Sequence, residues 1–205
     1  MNILILAIVL ISIITISIAI KLSKKTEEKT EKDFWEREQE ANFTRKKSLD
    51  DLDYITIPDS ILALDDNMLS KLSSQKIVNL NGIPNTDLKL EYGAANITVL
   101  SEYDQNYSDL ITRLSSIADE FITKANDNAL SSTEKESAAN TAVQILEFST
   151  DIRSDIVKCW TDLAMLYIST NQKAKIHLLI KKAENVKTFR GPAILRHLNE
   201  ILDNE

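Results

Sequence analysis

The stretch KCWTDLAMLYISTNQKAKIHLLIKKA, residues 158–183, decides the architecture. Trp160, Leu163, Ala164 and Tyr167 recur at helical spacing, which puts all four on one face of a helix. Asn171 in the polar break that follows is the expected opener of a second helix, and Ala183 sets a small residue near that helix's end. Two antiparallel helices approach closely only where small residues face each other, while Trp, Leu and Tyr fill the gap to the next pair. The stretch predicts a helical hairpin.

The pattern extends on both sides. Leu110, Leu114, Ile117, Phe121 and Ile122 give an apolar face to a helix expected to end near Ala125, and NDNALSST reads as a loop. Thr133 and Glu136 form a T-x-x-E capping box for a following helix that is expected to bury Ala139, Ala142, Val143, Leu146 and Phe148. Ser154 or Asp155 is the expected opener of the hairpin's first helix, and Gly191-Pro192 of a last helix.

Trp160, Leu163, Ala164 and Tyr167 fit the W-x2-L-G/A-x2-Y pattern of a tetratricopeptide repeat, and Ala183 falls where its second helix has a small residue. Ala142 and Ile176 are 34 residues apart, the period of that family. Ile176 departs from the usual small residue, and Thr188 stands where a proline often closes the unit. The resemblance implies one good repeat, one degenerate repeat before it and a capping helix over 192–202. A generic helical-hairpin bundle is the alternative. Across the whole chain, FWEREQEAN with YITIP, NTDLKLEYGAAN running into LSEYDQNY, and AVQILEFS resemble a group of uncharacterised single-pass membrane proteins from clostridial bacteria. That likeness implies a membrane anchor and carries over no functional residues.

Ile3 to Ile20 is an apolar run of 18 residues without a charge. At about 1.5 Å per residue it covers roughly 27 Å, close to a bilayer's hydrocarbon thickness. A cleaved signal peptide is the alternative, but no basic residue precedes the run and Lys-Leu-Ser-Lys-Lys follows it, in place of a small-x-small site. Lys21, Lys24 and Lys25 on the C-terminal flank place the N-terminus outside and the rest in the cytoplasm. In that compartment the Asn-x-Ser/Thr matches at Asn42, Asn96 and Asn106 have no meaning as glycosylation sites.

The expected organisation is an anchor at 1–20, a charged juxtamembrane helix or stalk at 21–53, an extended linker with short helices at 54–103 and a helical domain at 104–205. Phe34, Trp35 and Phe43 are expected to pack on the domain. Tyr54 to Ile57 reads as the extended linker, and Asp65 to Leu80 regains helical spacing. Thr86 or Asn85 is the expected cap of a helix through Leu88 and Tyr92, with Gly93 as its weak point. Only 3 Gly and 3 Pro in 205 residues also favour a mainly α fold.

The net charge is −7, and because residues 1–25 hold three lysines and no acid, the remaining 21 basic and 31 acidic residues give −10. Such a surface repels phosphate backbones, so no nucleic-acid partner is expected. Cys159 is read as a small buried hydrophobe, and His177 and His197 have no metal-ligand spacing around them. No P-loop, dinucleotide fingerprint, G-x-S-x-G or H-E-x-x-H motif is present, and Asp50-Asp51 and Asp65-Asp66 read as turns or caps. No catalysis, metal or cofactor is expected.

The segment YGAANITVLSEYDQNY supplies the candidate partner-binding residues Tyr92, Asn96, Tyr103, Asn106 and Tyr107, around a backbone that Gly93, Ala94 and Ala95 leave open to close approach. The alternative is a close helix crossing with half-buried tyrosines. The functions that fit are a membrane-anchored adaptor or scaffold for a protein or peptide partner, and a permanent structural subunit of a larger membrane complex.

Overall fold

The computed structural model describes the backbone of residues 3–204, with side chains at 15, 16, 20, 21, 23, 24 and 27 and from 29 to 204. The protein is mainly helical: α1 (Ile3–Phe43), α2 (Asp59–Leu62), α3 (Asn67–Ser73), α4 (Asn85–Tyr92), α5 (Ile97–Asn126), α6 (Ser132–Asp151), α7 (Val157–Ser169), α8 (Ala174–Ala183) and α9 (Gly191–Asp203). The described residues contain no strand, and their one isolated bridge pairs Tyr54 with Val78. The chain forms two compact units, Met1–Ser48 with Pro84–Ile97, and Leu49–Ile83 with Thr98–Glu205. No helix among the described residues is long and apolar enough to cross a membrane. The run expected to do so, 3–20, falls largely on side chains outside those described.

In the first unit, α1 continues without a break from the apolar run through the charged stretch to Phe43. Of the segment 21–53, residues 21–43 are helical and 44–53 lie in no helix. Residues 21–43 contain no Gly or Pro, and their Glu, Lys, Arg and Gln are good helix formers. α4 is fixed to the distal end of α1 by polar side chains. Arg37 pairs with Asp87 at 2.6 Å, the Thr86 hydroxyl donates to Glu38 at 2.6 Å, and Lys89 donates to both Glu38 and Asn42. Thr86 is thereby spent on Glu38, so neither it nor Asn85 caps α4, whose N-cap is Pro84 without a side-chain bond. Beneath these contacts Ala41 and Leu88 are buried. Phe34, Trp35 and Phe43 do not pack on a core as expected: they are 56%, 60% and 79% exposed, and Phe34 meets Trp35 edge-on at 5.6 Å.

In the second unit the expected linker is structural. Ile55 N–H donates to Ile77 O at 2.9 Å, and Ile57 and Ile61 enter the core. Helix α3 is shorter than its apolar spacing suggests, because the Ser73 and Ser74 hydroxyls donate back to Ser70 O and Lys71 O and end it in a turn. Asp66 starts α3, accepting from the Met68 and Leu69 amides, while its other oxygen takes Nε and Nη2 of Arg113 at 3.0 and 2.6 Å. The Arg113 guanidinium holds this carboxyl below its ordinary range, against burial and with help from the Leu69 amide. The carboxylate's contribution is thus present above the usual aspartate range and lost as pH falls below it. Asp66→Ala should cost about 2 kcal/mol near neutral pH. Urea titrations of the two chains should converge as the solution is acidified.

Helix α5 starts earlier than expected and runs for 30 residues, burying Leu100, Tyr107, Leu110, Ile111, Leu114, Ile117 and Ala118. The capping box of α6 forms at Ser131 and Glu134, two positions ahead of the expected Thr133 and Glu136. The Ser131 N–H donates to Glu134 Oε2 at 2.9 Å, and the Glu134 N–H returns to Ser131 Oγ at 3.3 Å. Ala138 is buried in place of Ala139, which is half-exposed, and Phe148 is half-buried. Asn171 adopts a left-handed φ of 58° and ends α7, where it was expected to open α8.

Helix α7 packs against α6, α8 and α9. Trp160, Leu163, Ala164 and Tyr167 face that packing at 0–5% exposure, and Ile176, Leu179 and Ala183 of α8 are buried with them. The start of α7, Val157, precedes that of α9, Gly191, by 34 positions, and both helices have 13 residues. At the α9 start an added Cβ on Gly191 would stand 2.3 Å from Val186 O, so only glycine permits that turn.

Candidate functional site

The five candidate partner-binding residues divide between the units. In the first, Tyr92 closes α4, half-buried, and its carbonyl accepts from the Lys47 amide at 3.0 Å. Asn96 is fully buried, and its carboxamide nitrogen donates to Lys47 O at 2.8 Å and Tyr92 O at 2.7 Å. It thereby ties the end of α4 to the segment after α1. Gly93 between them has φ 91°, and a Cβ there would lie 2.3 Å from Arg45 O. This is a close backbone approach between the end of α4 and the segment after α1, and Asn96 is inside it.

In the second unit the Asn106 carboxamide donates to Lys76 O at 3.0 Å and is 9% exposed. Tyr107 is fully buried on α5, with its hydroxyl donating to Ile152 O at 3.2 Å. Burial pushes its pKa far above the ordinary tyrosine value, so it stays a neutral donor. Tyr103 is half-buried and edge-on to Tyr54 at 6.0 Å, with the Lys76 ammonium 4.8 Å from the Tyr54 ring and 5.8 Å from its own. Tyr103 and Asn106 are therefore brought together around Lys76. The Asn96 and Asn106 carboxamide nitrogens and the Tyr107 hydroxyl donate to backbone carbonyls, while Asn96 Oδ1 is buried without a hydrogen-bond partner. Tyr92 and Tyr103 are the half-buried members.

An open groove of about 710 Å3 runs along the second half of α5, where Thr112, Ser115, Ser116, Asp119 and Thr123 line it with Ile156 beside the start of α7. The Lys158 ammonium bridges Asp119 on α5 and Asp162 on α7, fixing the two helices at this edge. The hydroxyl series is legible as i, i+3, i+4 spacing, but the sequence signal for α5 was its apolar face, and the opposite face carried no marker for a groove.

Among the described residues no group of three or more His, Cys, Asp or Glu side chains is arranged to hold a metal ion. His177 is exposed, and His197 lies 3.2 Å from Glu200. The Cys159 thiol is buried beside Ser115 and Ser149, and burial raises its pKa. That favours the unreactive thiol over the thiolate. Tyr167 donates to Glu147 at 2.7 Å and Lys175 to the same oxygen at 3.0 Å. Burial opposes ionisation of Glu147, but these two bonds outweigh it and hold the carboxyl below its ordinary range. The arrangement links α6 to α7 and α8 and is complete without a ligand. No known protein family, curated protein or solved structure matches the chain.

Proposed function

We propose that the chain is a membrane-tethered interaction module, in which residues 3–20 are the anchor, the remainder is cytoplasmic and a helical repeat presents a groove to a segment of a partner protein. The reading is carried by the repetition at 34 positions between α7 and α9, with small residues Ala164 and Ala183 fully buried at the helix contacts. On this reading α7 and α8 form one tetratricopeptide-like unit and α9 caps it. The open face of α5, rich in hydroxyl groups, suits hydrogen bonding to a peptide backbone, and tethering raises the local concentration of whatever binds there.

Proximity labelling from the full chain in cells tests this. Ser116→Arg with Thr123→Arg, both at exposed groove positions, should reduce enrichment of the labelled partners at least fivefold while leaving the chain at the membrane. Equal labelling by the wild type, the double variant and an anchor-only control would remove the adaptor reading.

A permanent structural subunit is the second reading, favoured by the exposed Phe34, Trp35, Leu178 and Phe189. It requires the full chain, extracted in mild detergent, to elute in one large assembly at every dilution.

A further inference from the structure

The second unit holds a small cleft of about 80 Å3, lined by the polar side chains of Asn79, Asn81, Arg153, Asn185, Lys187 and Thr188 together with Ile83 and Val186. Three separate segments converge there, around residues 79–83, 153 and 185–188, and the fold fixes each of them. Gly82, with φ 82°, is pressed on the Lys187 backbone so closely that a Cβ would lie 2.8 Å from Lys187 O. The Asn79 carboxamide donates to Ile152 O at 3.1 Å and its oxygen accepts from the Asn81 amide at 3.0 Å, so this wall is held on both sides. Arg153 stands beyond the end of α6 in a left-handed conformation, φ 62°, which a residue with a side chain adopts only at a cost.

The polar part of the lining holds two cations, three carboxamides and a hydroxyl, with no carboxylate, and Ile83 and Val186 complete it. In a chain with net charge −7 that local imbalance is informative. Neighbouring acids are already engaged. Asp155 faces Arg190 at 3.8 Å, and Asp104 accepts from the Leu80 amide at 3.0 Å. Asp53, 87% exposed in an adjoining cleft, holds Arg153 at 3.0 Å. Among the described residues no carboxylate pairs with Lys187. At about 10–15 Å3 of such space per water the cleft holds several waters. That is room for a small tetrahedral oxyanion.

We propose that this cleft binds a phosphate-type oxyanion, with Lys187 and Arg153 supplying charge, and with Asn81, Asn185 and Thr188 supplying hydrogen bonds. Arginine and lysine bound to an anion form the stronger, charge-assisted class of hydrogen bond. Asp53 competes with the anion for the Arg153 guanidinium, so the site is partly self-occupied when empty. The inference is independent of the tethering role.

Isothermal titration of the full chain in neutral detergent with inorganic phosphate, against chloride at equal ionic strength, tests it. One saturable site is expected. Lys187→Ala should weaken it about tenfold. Arg153→Gly keeps the left-handed backbone and should abolish the binding, whereas Asp53→Asn should tighten it several-fold. O-phosphoserine distinguishes the source: entry with comparable affinity assigns the cleft to a phosphate ester, and exclusion assigns it to the free anion. Heats indistinguishable from chloride, or phosphate binding unchanged in both Lys187→Ala and Arg153→Gly, would overturn the proposal.

Discussion

Trp160→Ala lowers the stability of the second unit by about 3–5 kcal/mol, the largest single-residue loss expected in the protein. The indole is completely buried on α7, at the contact with its neighbouring helices, and no other described side chain of its volume is as fully enclosed. Its Nε1 donates to Ser154 O at 2.7 Å, so truncation leaves a cavity and also a buried carbonyl without its partner. Trp160→Phe separates these effects, since it keeps much of the volume and loses the bond. It should cost less than half as much. Urea denaturation of the full chain in detergent, followed by far-ultraviolet circular dichroism, measures both. A loss under 1 kcal/mol for the alanine variant would mean that α7 is not the centre of this unit.

The second large effect belongs to the first unit. Gly93→Ala should release α4 from the segment after α1 at a cost of about 3 kcal/mol or more, because two penalties coincide. The φ of 91° with ψ 141° lies in a region open in practice only to glycine, and the new methyl would meet the Arg45 carbonyl at 2.3 Å. Backbone against backbone leaves no flexible side chain to give way. Hydrogen exchange reads the result locally: the Lys47 amide, bonded to Tyr92 O at 3.0 Å, and the Ala94 amide, bonded to Thr44 O at 3.3 Å, should lose protection by about a hundredfold. Ala95→Gly, at an exposed neighbouring position, should leave Lys47 within about tenfold of the wild type. Unchanged exchange at Lys47 in Gly93→Ala would show that the crossing does not hold the two segments together.

These cases mark what could be read in advance and what could not. The α7–α8 hairpin and the opening at Gly191-Pro192 were legible because helix faces and terminators are local, and each is written within about ten residues, whereas Asn171 reads as an opener and is a terminator. The start of α5 was not, since Ala94 to Asn96 form a single 3-10 turn that runs into the helix with no Gly, Pro or capping side chain at the junction. The misplaced box of α6 has a similar cause: SSTEKE satisfies the S/T-x-x-E rule at Ser131 and at Thr133, and spacing alone cannot rank them. The candidate partner-binding residues were the least legible. Asn106 and Tyr107 find their acceptors at Lys76 and Ile152, which are 30 and 45 positions away, so exposure could not be inferred from residue type. The oxyanion cleft is similarly scattered over residues 79–188.

The unbroken α1 makes its length and its rotational phase inseparable. Each residue inserted between 21 and 33 would turn the α4-bearing end by about 100° around the helix axis relative to the apolar run. A two-residue insertion would therefore swing α4 to nearly the opposite side. Seven residues would return it to within about 20° of its original bearing while moving it roughly 10 Å outward. Any assembly that engages both ends of this rod should tolerate a seven-residue insertion far better than a two-residue one, whereas a limp tether would make the two indistinguishable.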